Sequence, residues 1–352
     1  MQQGLFFFGS LMLTAVMIPA LRQLAERIGL VDQPGERKTH EGIIPIHGGV
    51  CLALVVLIAG VVLHQLQSLS NAEWVFLLGL MLFAVIGVLD DLRDLSARLR
   101  LVAEVILLFW LMSSYDFHID QLGDLWGYGD VSLGWLTWPF TLFAIFCLIN
   151  GMNMLDGMDG LAGGIAAISL GWFMISALHA EVPLTPVLWA LSGALLAFLF
   201  YNVRSPWRSR AAVFMGDAGS LVLGFTLCWC CIAFTQHGID GAGFALSPMT
   251  AVWIMALPVI DTVYVVLKRA RSGVGIFTPG RDHIHHRVQQ LGFSDTAVVY
   301  LLWLVSAVLG GIGVLADMLQ VPEPVMCYGF IVMAVLYYFA ASKMQHSSDQ
   351  EA

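Results

Sequence analysis

Long apolar runs alternate with short polar segments along nearly the whole chain. Each run approaches the roughly 20 mostly apolar residues that a helix needs to cross a bilayer. The runs lie at 4–27, 46–66, 72–89, 98–113, 133–152, 160–179, 184–202, 213–235, 247–267, 297–317 and 322–342. The pattern therefore predicts an all-α polytopic membrane protein with about eleven transmembrane helices.

The polar segments between these runs leave no room for a soluble domain. The longest of them, 268–296, is predicted to be a loop of polar and basic residues. We expect a single integral membrane domain over 1–342, followed by a short polar tail over 343–352. No basic leader precedes the first run and no cleavage signal follows it, so the run is interpreted as a retained span.

Composition agrees with this pattern. The chain has 352 residues, of which 59% are hydrophobic and 12% are charged, about half the charged fraction of soluble domains. The mean hydropathy is +0.81. The six cysteines lie in or beside apolar runs and lack the spacing of a metal site or a disulfide framework. They are interpreted as packing residues.

The basic residues predict the orientation in the membrane. All 16 Lys and Arg residues lie beside spans 1, 3, 7, 9 and 11, at ends that face the same side. Because Lys and Arg are retained in cytoplasmic loops, we expect a periplasmic N-terminus and a cytoplasmic C-terminus. An odd number of spans places the two termini on opposite sides of the membrane, in agreement with this orientation. The net charge of −9 says little about partners, because the charges are segregated by side.

One acidic stretch, Asn153 to Leu161, lies between two predicted spans. Charged groups in apolar surroundings mark a functional site by default. Asp156 and Asp159 are three residues apart, so on a helical turn both carboxylates would project to one side. Two carboxylates repel each other, and we therefore expect a metal ion, a basic loop or both to complete the site.

Four motifs are predicted to reach the cytoplasmic face. Taken alone, an aspartate at a helix end is typical of a solvated cap. The coincidence of four motifs on one face favours a functional site instead. The motifs are Asp90-Asp91, the stretch 153–159, the segment 214–220 and the histidine loop 281–287.

Carboxylates at a membrane surface suit Mg²⁺ or Mn²⁺. Mg²⁺ takes one or two protein carboxylates and completes its shell with water and phosphate oxygens. The histidine loop is rich in Arg, which favours phosphate contact over the alternative of a zinc site. Metal, phosphate and apolar spans together indicate phosphoryl transfer to or from a lipid at the cytoplasmic leaflet.

At these motifs the chain resembles the polyprenyl-phosphate N-acetylhexosamine-1-phosphate transferases, over essentially its whole length. The histidine loop and segment 277–282 are similar to the branch that transfers N-acetylglucosamine 1-phosphate. That branch commonly has an acidic residue at the position of Gly280, which this chain lacks. The motifs that carry the resemblance are Asp90-Asp91, Asn153-x-x-Asp156-Gly-x-Asp159-Gly, Phe214-Met-Gly-Asp217-x-Gly and His283-Ile-His285-His286.

The resemblance implies a reaction and its partners. N-acetylglucosamine 1-phosphate would pass from UDP-N-acetylglucosamine to undecaprenyl phosphate with release of UMP, and the product would prime O-antigen or another surface polysaccharide. The cofactor would be Mg²⁺, with Mn²⁺ as the alternative. The expected partners are a UDP-N-acetylhexosamine, undecaprenyl phosphate and the lipid bilayer of the bacterial inner membrane. No nucleic acid is expected as a partner, and whether the protein forms a homodimer is left open.

The resemblance also implies roles for the acidic residues. Asp217 and Asn153 would bind the metal. Asp90 and Asp91 would position the lipid phosphate and take its last proton, while Asp156 and Asp159 would orient the metal or the nucleotide sugar. Because a phosphate monoester has a second pKa near 6, most of the nucleophile is already dianionic at neutral pH. This favours direct displacement, and a covalent aspartyl phosphate stays the alternative.

Substrate contacts are assigned in the same way. Asn202 and Phe214 would flank a uracil pocket. A set of basic and imidazole side chains would bind the pyrophosphate or the sugar: Lys38, Arg269, Arg281, His283, His285 and His286. Asp261 belongs either to the site or to a pair with a basic neighbour.

Three alternatives compete with this interpretation. The same enzyme could use another UDP-aminosugar, such as N-acetylgalactosamine, a deoxy-aminosugar or MurNAc-pentapeptide. Asp90-Asp91-x-x-Asp94 also reads as an aspartate-rich motif of an intramembrane prenyltransferase, although no second motif of that form follows. A transporter would place its polar site near the bilayer midplane within repeats, and no repeat is visible.

Overall fold

Thirteen α-helices lie within the part of the chain that the structure describes. The computed structural model describes residues 2–32, 43–67, 69–115, 117–180, 185–205, 207–237, 246–273, 275 and 280–351, with side chains described up to residue 343. The helices are α1 (Gln2–Ile28), α2 (Gly48–Leu66), α3 (Asn71–Arg93), α4 (Ala97–Ser114), α5 (Thr137–Leu155), α6 (Leu161–His179), α7 (Pro186–Asn202), α8 (Gly216–Ile232), α9 (Pro248–Ile254), α10 (Ala256–Ser272), α11 (Ile284–Gln290), α12 (Asp295–Met318) and α13 (Glu323–Glu351).

Every predicted span lies on one of these helices, and the ninth lies on α9 and α10, which are bent by 80° relative to each other. Within the described ranges, eight helices are long and apolar enough to cross a membrane, or up to nine if the bent pair is one span. α7 has 17 residues, and α4 contains Arg98, Arg100 and Glu104. The protein is an all-α polytopic membrane protein, while the count of eleven crossings stays a prediction.

Helix α8 is at the centre of the bundle and packs against α2, α3, α5 and α6. It meets α3 and α2 through backbone contacts. A Cβ placed on Gly87 of α3 would lie 2.3 Å from Cα of Ala218, and one on Gly49 of α2 would lie 2.1 Å from N of Gly219. Glycine lets the helices approach this closely. The start of α8 is therefore fixed against two other helices.

The first residues of α8 are also held by a small hairpin. Strands β1 (Val31–Asp32) and β2 (Ile44–Pro45) pair antiparallel. The carbonyl of Pro45 accepts from N of Phe214 at 2.9 Å, and N of Gly48 donates to the carbonyl of Phe214 at 3.0 Å. Lys38, a predicted substrate contact, lies outside the described residues.

The structure corrects the prediction of a loop over 268–296. α10 continues to Ser272, and the short helix α11 carries His285 and His286. The carboxylate of Asp261 accepts from N of Ile284 at 2.8 Å and so satisfies a free donor at the start of α11. This contact spans 23 residues of sequence, which is why local pattern did not reveal the helix.

Candidate active site

The four motifs meet at one end of the bundle. Asp91 and Asn153 both contact Asp217, by hydrogen bonds of 2.9 and 2.6 Å. A Cβ placed on Gly157 would lie 2.9 Å from Nε2 of His285. The ends of α3 and α5, the start of α8 and the histidine loop therefore line one site.

Asp91 caps helix α8. Its two carboxylate oxygens accept from N of Asp217 at 2.9 Å and from N of Ala218 at 3.2 Å. The free N–H groups and the positive end of the helix dipole favour a carboxylate there. Asp91 thus fixes the direction in which Asp217 leaves the helix. Its predicted part in proton transfer stays a prediction.

Asp217 and Asn153 are in direct contact. The amide nitrogen of Asn153 donates to Oδ1 of Asp217 at 2.6 Å and to Oγ of Ser220 at 2.8 Å. The amide nitrogen cannot bind a cation, so a metal held by both residues would require the amide to present its oxygen. The predicted pairing of these two residues in space is observed, and their role as metal ligands stays a prediction.

A buried network that the sequence analysis did not identify lies beside Asp217. Nη1 of Arg100 binds Oδ2 of Asp90 at 2.9 Å and lies 3.8 Å from Oδ2 of Asp217. Its Nε lies 3.6 Å from Glu104, whose side chain is fully buried and accepts from Asn150 at 2.7 Å. The signal in the sequence was an Arg and a Glu four residues apart within an apolar run.

Negative charge exceeds positive charge in this cluster. Asp90, Glu104 and Asp217 lie 2.9, 3.6 and 3.8 Å from the guanidinium of Arg100, and Asp91 and Asp156 add two carboxylates close to Asp217. Across the described part of the chain, no three His, Cys, Asp or Glu side chains are arranged to hold a metal by themselves. The donor set still fits Mg²⁺, because that ion needs only one or two protein carboxylates.

Asp156 differs from its neighbours in having no hydrogen-bond donor on its carboxylate among the described residues. Burial raises its pKa well above the ordinary value, and the charges of Asp217, Asp91 and Asp159 raise it further. A carboxylate with a raised pKa and no structural partner is suited to bind a cation or to accept a proton.

Asp159 has a different environment, contrary to the expectation of one helical turn with both carboxylates on one side. α5 ends at Leu155, and Gly160 has a φ of 84° before α6 begins. Oδ2 of Asp159 accepts from Nε of Arg204 at 2.7 Å, and Arg204 also binds Asp295 at 2.8 Å. Asp159 therefore ties the loop between α5 and α6 to the start of α12.

The histidine loop is oriented by Asp261, a residue that the sequence left open. Nδ1 of His283 lies 2.7 Å from Oδ2 of Asp261, whose residue is 1% exposed. The same carboxylate begins α11 through Ile284. Asp261 thus sets the direction of the imidazole, as carboxylates commonly do for functional histidines.

His285 lies against the loop between α5 and α6. It is 1% exposed, and neither ring nitrogen has a hydrogen-bond partner among the described residues. Burial and the neighbouring His286 and His283 lower its pKa to about 3. Burial also lowers the pKa of His286, whose Nδ1 lies 3.1 Å from Oε1 of Gln289. Both rings are neutral at pH 7 and can act as donor and acceptor.

Asp282, which the sequence analysis did not single out, pairs with two basic residues near the histidines. Lys268 pairs with Oδ1 of Asp282, and Arg269 pairs with Oδ2 at 3.2 Å. Burial would raise the pKa of Asp282, but the hydrogen bond and charge of Lys268, and then those of Arg269, lower it. Arg269 is buried and Arg281 is exposed. Their predicted contacts with substrate stay predictions.

The two residues predicted to flank uracil have structural contacts. Asn202 is buried, accepts from N of Gly160 at 2.7 Å and donates to the carbonyl of Val213 at 2.8 Å. It thereby joins the α5–α6 loop to the segment before α8. The backbone of Phe214 is held by Pro45 and Gly48, and its ring is half-buried. The uracil pocket stays a prediction.

Comparison with known proteins adds an independent finding. Residues 73–235 match the model of glycosyl transferase family 4. The chain is 35% identical over 338 residues to the undecaprenyl-phosphate alpha-N-acetylglucosaminyl 1-phosphate transferase of Salmonella typhi, which covers 94% of this chain and 88% of that protein. The proteins of the same description from Escherichia coli K12 and Haemophilus influenzae are each 34% identical, over 94% and 95% of this chain and 88% and 91% of their own length.

Proposed function

The chain belongs to glycosyl transferase family 4, and on that premise we propose that it transfers N-acetylglucosamine 1-phosphate from UDP-N-acetylglucosamine to undecaprenyl phosphate. UMP is released, and the lipid-linked product primes O-antigen or another surface polysaccharide. The similarity to three transferases of that description supports the proposal. The family assignment favours this reaction over prenyl transfer and transport.

The observation that carries the chemistry is the excess of carboxylates at one end of the bundle. Asp217 is fixed by Asp91 and Asn153, and Asp156 has no donor among the described residues. We assign Asp217 and Asp156 as the side chains that hold Mg²⁺, the ion that would neutralise the phosphates of the sugar nucleotide. Arg100, 3.8 Å from Asp217, would limit the charge of the site when it is empty.

The reaction is a direct displacement. An oxygen of the lipid phosphate forms a bond to the β-phosphorus of UDP-N-acetylglucosamine, and the bond from that phosphorus to the bridging oxygen breaks. UMP leaves with the electron pair. The attacking phosphate has a second pKa near 6 and is mostly dianionic at neutral pH, so it needs no strong base. Asp90 and Asp91 would align it and accept the residual proton.

The imidazoles supply hydrogen bonds to the anionic substrate. His285 has two ring nitrogens without a partner among the described residues, beside the α5–α6 loop, and Asp261 sets the direction of the His283 ring. Hydrogen bonds to phosphate oxygens in a site shielded from water stabilise charge that develops in the transition state. We place this site on the cytoplasmic face of the bacterial inner membrane, where the nucleotide sugar would be present.

The experiment is an assay of UMP release by the purified protein in detergent with undecaprenyl phosphate and Mg²⁺. UDP-N-acetylglucosamine, UDP-N-acetylgalactosamine and UDP-MurNAc-pentapeptide are compared in parallel, with and without EDTA. We expect lipid-dependent release from UDP-N-acetylglucosamine that EDTA abolishes. Release from another sugar nucleotide alone would change the assigned donor, and no release from folded protein would refute the proposal.

Asp217→Asn tests the metal assignment. We expect at least about a hundredfold loss of turnover, the size typical of losing one electrostatic group in a catalytic site. Asp130→Asn is the matched control, because Asp130 is exposed in the loop at the other end of α5. Near-normal turnover of Asp217→Asn, with thermal unfolding unchanged, would contradict the assignment.

A further inference from the structure

A basic and aromatic surface lies beside the end of α7. It consists of Phe200, Trp207, Arg208 and Arg210, and we call it the Trp207 surface. Trp207 is 93% exposed and Phe200 is 70% exposed. An indole this large is seldom left in water in a folded protein, because it carries much apolar area. Something outside the chain is therefore expected to cover it.

The Trp207 surface continues the lipid-facing side of α7. Over residues 186–202 Leu196 and Phe200 are exposed, four residues apart, and the other residues are buried or half-buried. An exposed apolar stripe on a helix of a membrane protein faces the acyl chains. The stripe ends at Phe200, and Trp207 follows it by seven residues. Trp207 and the stripe therefore form neighbouring exposed apolar surface at this end of α7.

Arg208 lies over the aromatic end of this stripe. Its guanidinium lies 5.2 Å from the ring centroid of Phe200 and 5.6 Å from that of Tyr201, and Nη1 donates to the carbonyl of Phe200. A cation over the last aromatic rings of an apolar stripe is the arrangement of a side chain that reaches from the hydrocarbon edge to the phosphates. Arg208 is half-buried, and the exposed Arg210 adds a second positive charge.

The residues on either side of Trp207 are tied to the rest of the protein. Ser205 and Arg208 exchange backbone hydrogen bonds of 2.8 and 2.9 Å. Arg204 binds Asp159 at 2.7 Å and Asp295 at 2.8 Å. The chain beside the Trp207 surface is therefore connected to the loop between α5 and α6, which carries Asp156 and Asp159.

The opposite end of the bundle provides a contrast. Tyr128 is 96% exposed and Trp135 is 86% exposed there, in the segment before α5, and no Lys or Arg lies between residues 101 and 203. Aromatic side chains occur at both membrane interfaces, whereas basic residues are attracted to the anionic leaflet. Of these two regions, the Trp207 surface combines aromatic with basic side chains.

We propose that the Trp207 surface docks onto anionic phospholipid headgroups of the leaflet at the active-site end, with Trp207 inserted at the interface and Arg208 and Arg210 contacting lipid phosphate. The occupant is bulk anionic phospholipid, not the polyprenyl acceptor. This assignment does not depend on which sugar the enzyme transfers. It also gives the active site a fixed depth relative to the phosphates of the leaflet.

The test is tryptophan fluorescence of the full chain in nanodiscs of phosphatidylcholine, with or without about 30% phosphatidylglycerol. This anionic lipid gives the membrane the negative surface potential that attracts Arg side chains. The emission of Trp207 is obtained by subtracting the emission spectrum of Trp207→Phe from that of the wild type. We expect a headgroup spin label to quench this component at least about twofold more than aqueous iodide does. Phosphatidylglycerol should strengthen that quenching, and Arg208→Gln with Arg210→Gln should remove the strengthening.

Trp135→Phe is the matched control. Its difference component should be quenched by the headgroup label but should not respond to phosphatidylglycerol. Equal access of iodide to Trp207 in nanodiscs and in detergent would overturn the proposal. A response of the Trp207 component to added undecaprenyl phosphate, without any response to phosphatidylglycerol, would also overturn it.

Discussion

At the scale of single residues, identical carboxylates perform different tasks. Asp91 caps a helix, Asp90 pairs with Arg100, and Asp159 pairs with Arg204. Asp156 is held by no donor among the residues described. Residue type and position within a motif therefore did not show which carboxylates have a structural role and which are available to substrate. The direction of each side chain distinguishes the two groups.

Glu104 is expected to stabilise the site through Arg100 and Asn150. Glu104→Ala leaves the buried amide of Asn150 without this acceptor and removes one carboxylate beside the half-buried Arg100, which keeps Asp90. The change should cost about 3 kcal/mol of unfolding free energy. Glu104→Gln keeps an oxygen for Asn150 and should cost about 1 kcal/mol. Thermal unfolding in detergent measures both. Equal stability of the two variants would contradict the assigned hydrogen bond between residue 104 and Asn150.

His285 should make stability depend on pH. Its pKa is about 3 in the folded protein and 6.5 when unperturbed, so the unfolded state binds the extra proton between these values. Stability is then complete above pH 6.5 and falls as the pH is lowered, by up to about 1.4 kcal/mol per pH unit. Unfolding of the wild type and His285→Gln from pH 7.5 to pH 5 should diverge by about 2 kcal/mol. Parallel curves would exclude this linkage.

At the scale of helices, the position of Asp217 depends on backbone contact between α3 and α8. Gly87→Ala would place a methyl group 2.3 Å from Cα of Ala218, so the helices must separate. We expect a loss of about 3 kcal/mol in unfolding free energy and a fall in turnover, since the cap from Asp91 to α8 is displaced.

Gly171→Ala is the control for this substitution. It makes the same change inside α6, where a Cβ meets nothing within 4 Å. Alanine is the better helix former, so we expect unchanged turnover and a gain of up to about 1 kcal/mol. Similar stability losses in the two variants, measured by thermal unfolding, would show that packing at Gly87 is not special.

At the scale of the whole molecule, the orientation in the membrane is open to direct measurement. We predict that a cysteine replacing Tyr128 is labelled by an impermeant maleimide in intact spheroplasts. One replacing Gln290 should be labelled only after permeabilisation, since it lies beside the histidine loop. The six native cysteines are buried or half-buried and give a low background. The reverse pattern would invert the predicted topology.

Much of the architecture was predictable because each apolar run is a local property. A bilayer span requires about 20 apolar residues in a row, and such runs need no partner to be recognised. The same holds for the four motifs, whose residues lie within a few positions of one another, and for the side preference of Lys and Arg. Fold class, candidate site and family resemblance therefore followed from sequence, whereas α11 did not, since Asp261 begins it from another helix.

The tertiary structure decided which charges face each other. Arg100, Glu104 and Asn150 form one network although Asn150 is 46 residues from Glu104. Asp159 turned toward Arg204, 45 residues away, and left Asp156 by itself. In an apolar interior a charge must find a partner wherever the fold places one, because leaving it unpaired costs several kcal/mol. Sequence therefore determined the elements and the candidate chemistry, and only the packing of the helices determined the pairing of the charges.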